Sequence, residues 1–292
     1  LCVKPSDGSG DFDFSRNSAA TRVNAQGLVE NVQILSSNLV QNGDFSEEGV
    51  QEVSNGSFSQ EGVELVTNGS FDTDSDWTKG TGWSIGDGKA ISDGTSSNLD
   101  QSNTFLSGKT YKVVYTIEDY VSGDTRFRFT GTSNENGTLR SANGIYTEYI
   151  TLTNNQSILR FVGSGILSIT NISVKEVGQD WTLGTGWSIG EDKAVYSDGA
   201  KFSQLKQTLT NNNTSYYKVT FDAVINSGQF RVKFGSNNYD IITTTDTYTI
   251  YGIFSASNTN ITFEDYDDIS SDFSITNISV KEVGQNWTLG TG

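Results

Sequence analysis

The chain has 292 residues, of which 34% are apolar and 11% aromatic, enough to build two or three separate cores. Its formal charge of −16 and pI near 4.3 exclude the basic surface that a phosphate backbone requires, so no nucleic-acid partner is expected. Histidine is absent and Cys2 is the single cysteine, which excludes Ser-His-Asp and Cys-His catalysis, His-ligated zinc and an internal disulfide.

In chain order, residues 1–36 match neither of the repeats that follow. Three copies of a short unit come next: Leu39-Val40-Gln41-Asn42-Gly43-Asp44-Phe45, Glu52-Val53-Ser54-Asn55-Gly56-Ser57-Phe58 and Leu65-Val66-Thr67-Asn68-Gly69-Ser70-Phe71, with Phe recurring every 13 residues. Each reads as a short strand running into an Asn-Gly turn. The last copy is expected to supply the first strand of the module behind it, and residues 37–64 to form a small stacked β-segment or a linker.

From residue 65 onward the period lengthens to about 105 residues, the size of a domain rather than of a solenoid rung. Asp76-Trp77-Thr78-Lys79-Gly80-Thr81-Gly82-Trp83-Ser84-Ile85-Gly86 returns at Asp180 to Gly190, and Asn286 to Gly292 begins it again. The run from Ile169 to Gln179 matches Ile275 to Gln285 residue for residue. Tyr111, Val113, Tyr115 and Ile117 fall on one face of a strand, and Tyr217, Val219 and Phe221 repeat this in the second copy, which is the period-2 signature of a half-buried strand. Turn pairs such as Asp87-Gly88, Ser122-Gly123, Asn143-Gly144 and Ser227-Gly228 separate such runs. The expected fold is all-β: tandem jelly-roll β-sandwich modules behind a small β-rich N-terminal segment. The divisions are 1–36, a distinct N-terminal segment; 37–64, short repeats; 65–179, module 1; 180–285, module 2; and 286–292, the start of a third module. With no Met and a third copy barely begun, the sequence reads as part of a longer product. No apolar run approaches the roughly 18 residues of a membrane span, so no membrane insertion is expected.

The run Leu65 to Phe71, then Trp77, the Gly82-Trp83 pair, a Gly-rich turn, paired strands and the Ile-Ser-Val-Lys-Glu-Val strand together resemble a known group. They are similar to the carbohydrate-binding-module-like, galactose-binding-like sandwiches of phage tail proteins and secreted glycan-active proteins, over about residues 65–285. The run Asp11-Phe12-Asp13-Phe14-Ser15-Arg16-Asn17-Ser18-Ala19-Ala20-Thr21-Arg22-Val23-Asn24-Ala25-Gln26-Gly27-Leu28-Val29-Glu30 resembles a segment of phage tail and appendage proteins. The resemblance implies an extracellular setting, on a virion or a cell-surface appendage.

Among candidate ligand residues, the tryptophans recur at fixed repeat positions beside Gly turns, which favours core packing over sugar stacking. The better binding face is Arg126 and Arg128, matched by Arg231 and Lys233, where cations alternate with apolar residues along a strand and can donate to sugar hydroxyls or carboxylates. Tyr146 and Tyr149, matched by Tyr248 and Tyr251, are candidate neighbours, with one of each pair turned inward. Two acidic clusters make calcium a candidate ligand: Asp72, Asp74 and Asp76, and Glu264, Asp265, Asp267 and Asp268. The first is not an EF-hand, since Trp77 and Trp83 stand where Gly and Glu are needed. No catalytic constellation emerges and no cofactor is required.

The expected function is therefore non-catalytic: a virion structural or receptor-facing fibre component whose modules act as spacers and weak glycan binders. Its partners are a cell-surface glycan or host receptor, and other copies of itself or other virion proteins. Two alternatives stand beside it, an extracellular filament or adhesin assembled end to end and the carbohydrate-binding array of a secreted glycan-active enzyme.

Overall fold

The structure, a computed structural model, describes residues 21–31, 41–210, 214–266, 270–285 and 287. No helix occurs among them. The chain divides into a unit of residues 1–44 and a unit of residues 45–292. In the first, Thr21–Val23 pairs antiparallel with Val29–Asn31. The Asn24 side chain holds their turn, accepting from the N–H groups of Gln26 and Leu28 at 3.0 Å each. The rest of the Asp11 to Glu30 run lies outside the described residues.

The second unit is two β-sandwiches of the same plan. In module 1 a five-stranded sheet runs in the order Asn134–Asn136, Thr125–Gly131, Gln156–Gly163, Ser97–Phe105, Thr78–Lys79. It faces a sheet ordered Gly144–Thr151, Thr110–Ser122, Ile166–Val177, Lys89–Asp93, Trp83–Gly86. Module 2 repeats both sheets, the second as Asp246–Gly252, Tyr216–Ser227, Asp272–Val283, Lys193–Ser197, Trp187–Gly190. The period-2 alternation explains the layers. Tyr111, Val113, Tyr115 and Ile117 meet Phe127, Phe129 and Phe161 from the opposite sheet, and all are buried. Phe105 and Phe129 pack edge to face with ring centroids 4.6 Å apart, an arrangement aromatic quadrupoles favour. Trp77, Trp83, Trp181 and Trp187 are buried in these cores.

Two strands of the short-repeat region are arms that complete the modules, one arm each. The strand Glu61–Glu64 pairs with Ile166–Val177 of module 1, whereas the strand Glu48–Gln51, earlier in the chain, pairs with Asp272–Val283 of module 2. This differs from the expectation of a stacked segment or linker over 37–64. A short strand with one apolar end cannot bury it alone, and each long closing strand offers an open backbone edge beyond the end of Lys89–Asp93 or Lys193–Ser197.

Each arm then turns through Asn and Phe at positive φ, Asn55 and Phe58 for one and Asn68 and Phe71 for the other. The turn seats Gly56 and Gly69 against bulges at Asn277 and Asn171, where the long strands also enter positive φ. A Cβ on either glycine would lie 2.0 Å from a carbonyl oxygen, of Ile278 or Ile172 respectively, so only glycine fits. Phe58 and Phe71 are buried, and burying each ring stabilises its module by about 1.5–3 kcal/mol. Trp181 Nε1 donates to the Asn55 carbonyl and Trp77 Nε1 to that of Asn68, both at 3.1 Å.

Modules 1 and 2 meet edge to edge. Tyr149, on the edge strand Gly144–Thr151, packs against the module 2 core and lies 3.7 Å from the Cβ position of Gly190 on the edge strand Trp187–Gly190.

Candidate functional site

Strand Thr125–Gly131 buries Phe127 and Phe129 and turns Arg126 and Arg128 outward. Arg128 stands opposite Arg160, and Arg160 opposite Asp100. Arg160 is held by both carboxylate oxygens of Asp100, Nε to Oδ1 and Nη2 to Oδ2 at 2.7 Å each, a planar two-point pair that fixes the guanidinium. Arg128 Nε donates to Asn136 Oδ1 at 2.7 Å. Burial, then the charges of Arg126 and Arg160, lower the proton affinity of Arg128. Three guanidinium groups thus share one sheet face with a single carboxylate among them. Among the described residues, neither Arg126 nor Arg128 has a carboxylate within ion-pair distance.

The matching cations of module 2 are in a different state. Arg231 stands opposite Glu264, where Arg126 stands opposite Val162. Glu264 is only 2% exposed, and it forms ion pairs with Arg231 and, at 3.2 Å, with Lys233. Gln204 Nε2 also donates to it at 2.5 Å. Burial alone would push the Glu264 carboxyl up, but the bonds from Arg231, Gln204 and Lys233 outweigh it and hold the group below its usual range. The Arg231 guanidinium further lies over the Tyr266 ring, 4.3 Å from its centroid. The cations of this face are consumed by the fold.

The tyrosines do not join either cationic face, because their strands belong to the other sheet of each sandwich. Tyr146 turns inward onto Tyr115, with its hydroxyl donating to the Ala142 carbonyl at 2.8 Å. Tyr248 stacks on Phe221 at 5.4 Å in the same way and donates to the Thr244 carbonyl. Tyr149 and Tyr251 turn outward, the first into the junction between modules and the second to solvent at 57% exposure. The expected grouping of tyrosines with arginines is thereby corrected. Alternation along one strand was legible, but not the sheet to which the strand belongs.

Among the described residues, the acidic side chains do not assemble into a donor set for calcium. Asp72 accepts from Ser70 Oγ at 2.8 Å, Asp74 pairs with Lys79, and Asp76 accepts from Ser75 Oγ at 2.6 Å. Glu264 and Asp265, neighbours in sequence, project to opposite faces of strand Asn260–Asp265. Asp265 turns inward beside Tyr196, whose phenol is pushed up to about 12 by burial and then by Asp265. Asp267 and Asp268 lie outside the described residues. Among the described residues no three acidic side chains converge as a metal-holding group.

No family model matches the chain, and no curated protein matches it. Solved structures share only a remote likeness. Oxalate decarboxylase from Bacillus subtilis aligns over 62% of this chain and 68% of its own at 9% identity and a TM-score of 0.15. A putative secreted protein from Parabacteroides distasonis aligns over 82% of this chain and 100% of its own at 8% identity and a TM-score of 0.18. At these scores neither likeness carries an argument about this chain.

Proposed function

We propose that the chain is a non-catalytic display stack of an extracellular appendage, of the virion-fibre kind that its sequence resembles. Module 2 acts as spacer. Module 1 is the outer, receptor-facing module and binds acidic saccharide weakly through Arg126 and Arg128. The observation that carries the reading is the contrast between Arg126, opposite Val162, and Arg231, opposite the buried Glu264. Two modules of one ancestry keep cations at the same two positions, and only module 1 leaves them without a carboxylate.

The path of the chain supports the same reading. Glu48 pairs with Val283, so the chain runs into and out of the two modules side by side, at module 2. Module 1 is reached only by passing module 2. A guanidinium pair on an outer module suits carboxylated or sulfated sugars, which accept two parallel hydrogen bonds. Weak binding on a shallow sheet face of this kind is made effective by repetition on an appendage.

The test is a glycan array and calorimetric titration on the full chain, with and without added calcium, beside the variant Arg126→Ala/Arg128→Ala. Binding of acidic saccharides that disappears in the variant is expected. A folded protein that binds no saccharide in either condition, or binds equally well without the two arginines, would leave a spacer without a receptor face.

A further inference from the structure

A groove of about 510 Å³ opens at the free edge of module 2, lined by Phe45, Tyr216, Lys218, Tyr251 and Val283. Its rings are large and exposed, with Phe45 and Tyr251 each at 57%. Two observations indicate what covers it.

The corresponding edge of module 1 is already covered. Tyr149 stands opposite Lys112 as Tyr251 stands opposite Lys218. Tyr149 is capped by the edge strand Trp187–Gly190 of the next module, its ring 3.7 Å from where a Cβ on Gly190 would lie. Module 2 therefore repeats the receiving half of a junction whose other half is a Trp-Ser-Ile-Gly strand.

The second observation is an aromatic pair. Phe71 packs on Trp77 at 5.3 Å and 41° within module 1, and Phe58 packs on Trp181 at 5.3 Å and 42° within module 2. Phe45 packs on Trp287 at 5.2 Å and 39° beside the groove. In the first two cases the pair joins an arm to the module that this arm completes. Phe45 closes the remaining copy of the arm repeat and has the same positive φ as Phe58 and Phe71.

We propose that the groove is the seat of a third sandwich of the same repeat, continuing from Trp287. Phe45 and Trp287 are its closing pair, and its first edge strand lies on Tyr251 and Tyr216 as Trp187–Gly190 lies on Tyr149. The three arms then serve three modules in inverse order, each module enclosing the ones before it. A second copy of this chain is the poorer occupant, because Trp287 already meets Phe45 of its own chain. The inference rests on the stacked-module reading above but not on its glycan site, so the failure of one is read separately from the failure of the other.

The test lengthens the full chain by appending its own residues 187–285 after Gly292, which continues the repeat in frame. Hydrogen exchange and the rate of tyrosine nitration are followed in both chains, with Tyr251→Arg as a second variant of the longer one. Nitration of Tyr251 is expected to slow about tenfold or more in the longer chain. In the Tyr251→Arg variant the appended module is expected to stay protected from exchange while Tyr216 becomes as reactive as in the shorter chain. A protected appended module above an equally reactive Tyr251 overturns the proposal. So does an appended module that gains no protection, because arm and groove are then not what completes it. Self-association of the unlengthened chain that shields Tyr251 would assign the groove to a second copy and overturn the proposal as well.

Discussion

The side chain of Gln51 accepts a hydrogen bond at 2.7 Å from the backbone N–H of Val280, 229 residues further along the chain. All of module 1 lies between the two. Module 1 is therefore an insertion within module 2, and damage to the arm at Glu48–Gln51 falls on module 2, which follows module 1 in the chain.

Gly56→Ala is expected to destabilise module 2 and leave module 1 intact, and Gly69→Ala to do the reverse. Each new methyl meets a carbonyl oxygen of a long closing strand, so a loss on the order of 2–4 kcal/mol is expected. Peptide-resolved hydrogen exchange separates the modules. Loss of protection in module 1 on Gly56→Ala would contradict the pairing.

Glu264→Gln is expected to cost about 3–5 kcal/mol in module 2, because Arg231 and Lys233 then keep their charges beside a neutral amide in a buried position. Denaturant unfolding of the variant measures it. Arg231→Met/Glu264→Gln should recover part of the loss, since the uncompensated charge is reduced.

Acid is expected to loosen the arms before the cores. Glu48 is held below its ordinary value of 4.5 by hydrogen bonds from Lys218 and Lys281, and Glu61 likewise by Lys112 and Lys175. A depressed carboxyl pKa contributes stability that is fully present above 4.5 and is lost as pH falls through the lower folded value. These pairs are solvent-screened, so each carboxylate contributes about 0.5–1 kcal/mol. The protection of residues 48–51 and 61–64 relative to the intrinsic exchange rate at each pH should fall below pH 4.5, and Glu48→Gln should abolish the step at 48–51 only.

Tyr149→Ala is expected to uncouple the modules without unfolding either, since the ring is only partly buried and belongs to the junction between the two cores. One calorimetric transition should separate into two. A single unchanged transition would mean that the arms alone couple them.

The sandwich was legible because alternation such as Tyr111, Val113, Tyr115 and Ile117 leaves few other folds, and the closing strands repeat without a change. The arms were legible as repeats, but their partners were not. Nothing local to Gly56 indicates that the backbone it approaches belongs to Ile278 rather than Ile172. The cationic strands looked equivalent because Arg126-Phe127-Arg128-Phe129 and Arg231-Val232-Lys233-Phe234 carry one pattern. The difference lies across the ladder, in Val162 against Glu264, and appears only once register is known. Glu264 and Asp265 are adjacent in sequence, but the strand's period of two sends them to opposite faces, so adjacency does not make them one cluster.

The inverse order of the arms also bears on synthesis. At roughly 5–20 residues per second a ribosome needs about 10–45 s to travel from Gln51 to Val280, and throughout that time two similar arms compete for whichever module is ready. Loop closure cannot sort them, since a difference of 13 residues in a loop of about 100 changes the entropy by only about 0.1 kcal/mol. Local capture can. The arm ending at Phe71 bonds to Trp77 only 9 residues from Asn68, so it is engaged before module 1 exists, whereas the arm ending at Phe58 must await Trp181, 126 residues beyond Asn55. Vectorial growth from the N-terminus thus assigns each arm its place, and a chain refolding from denaturant at full length loses that timetable.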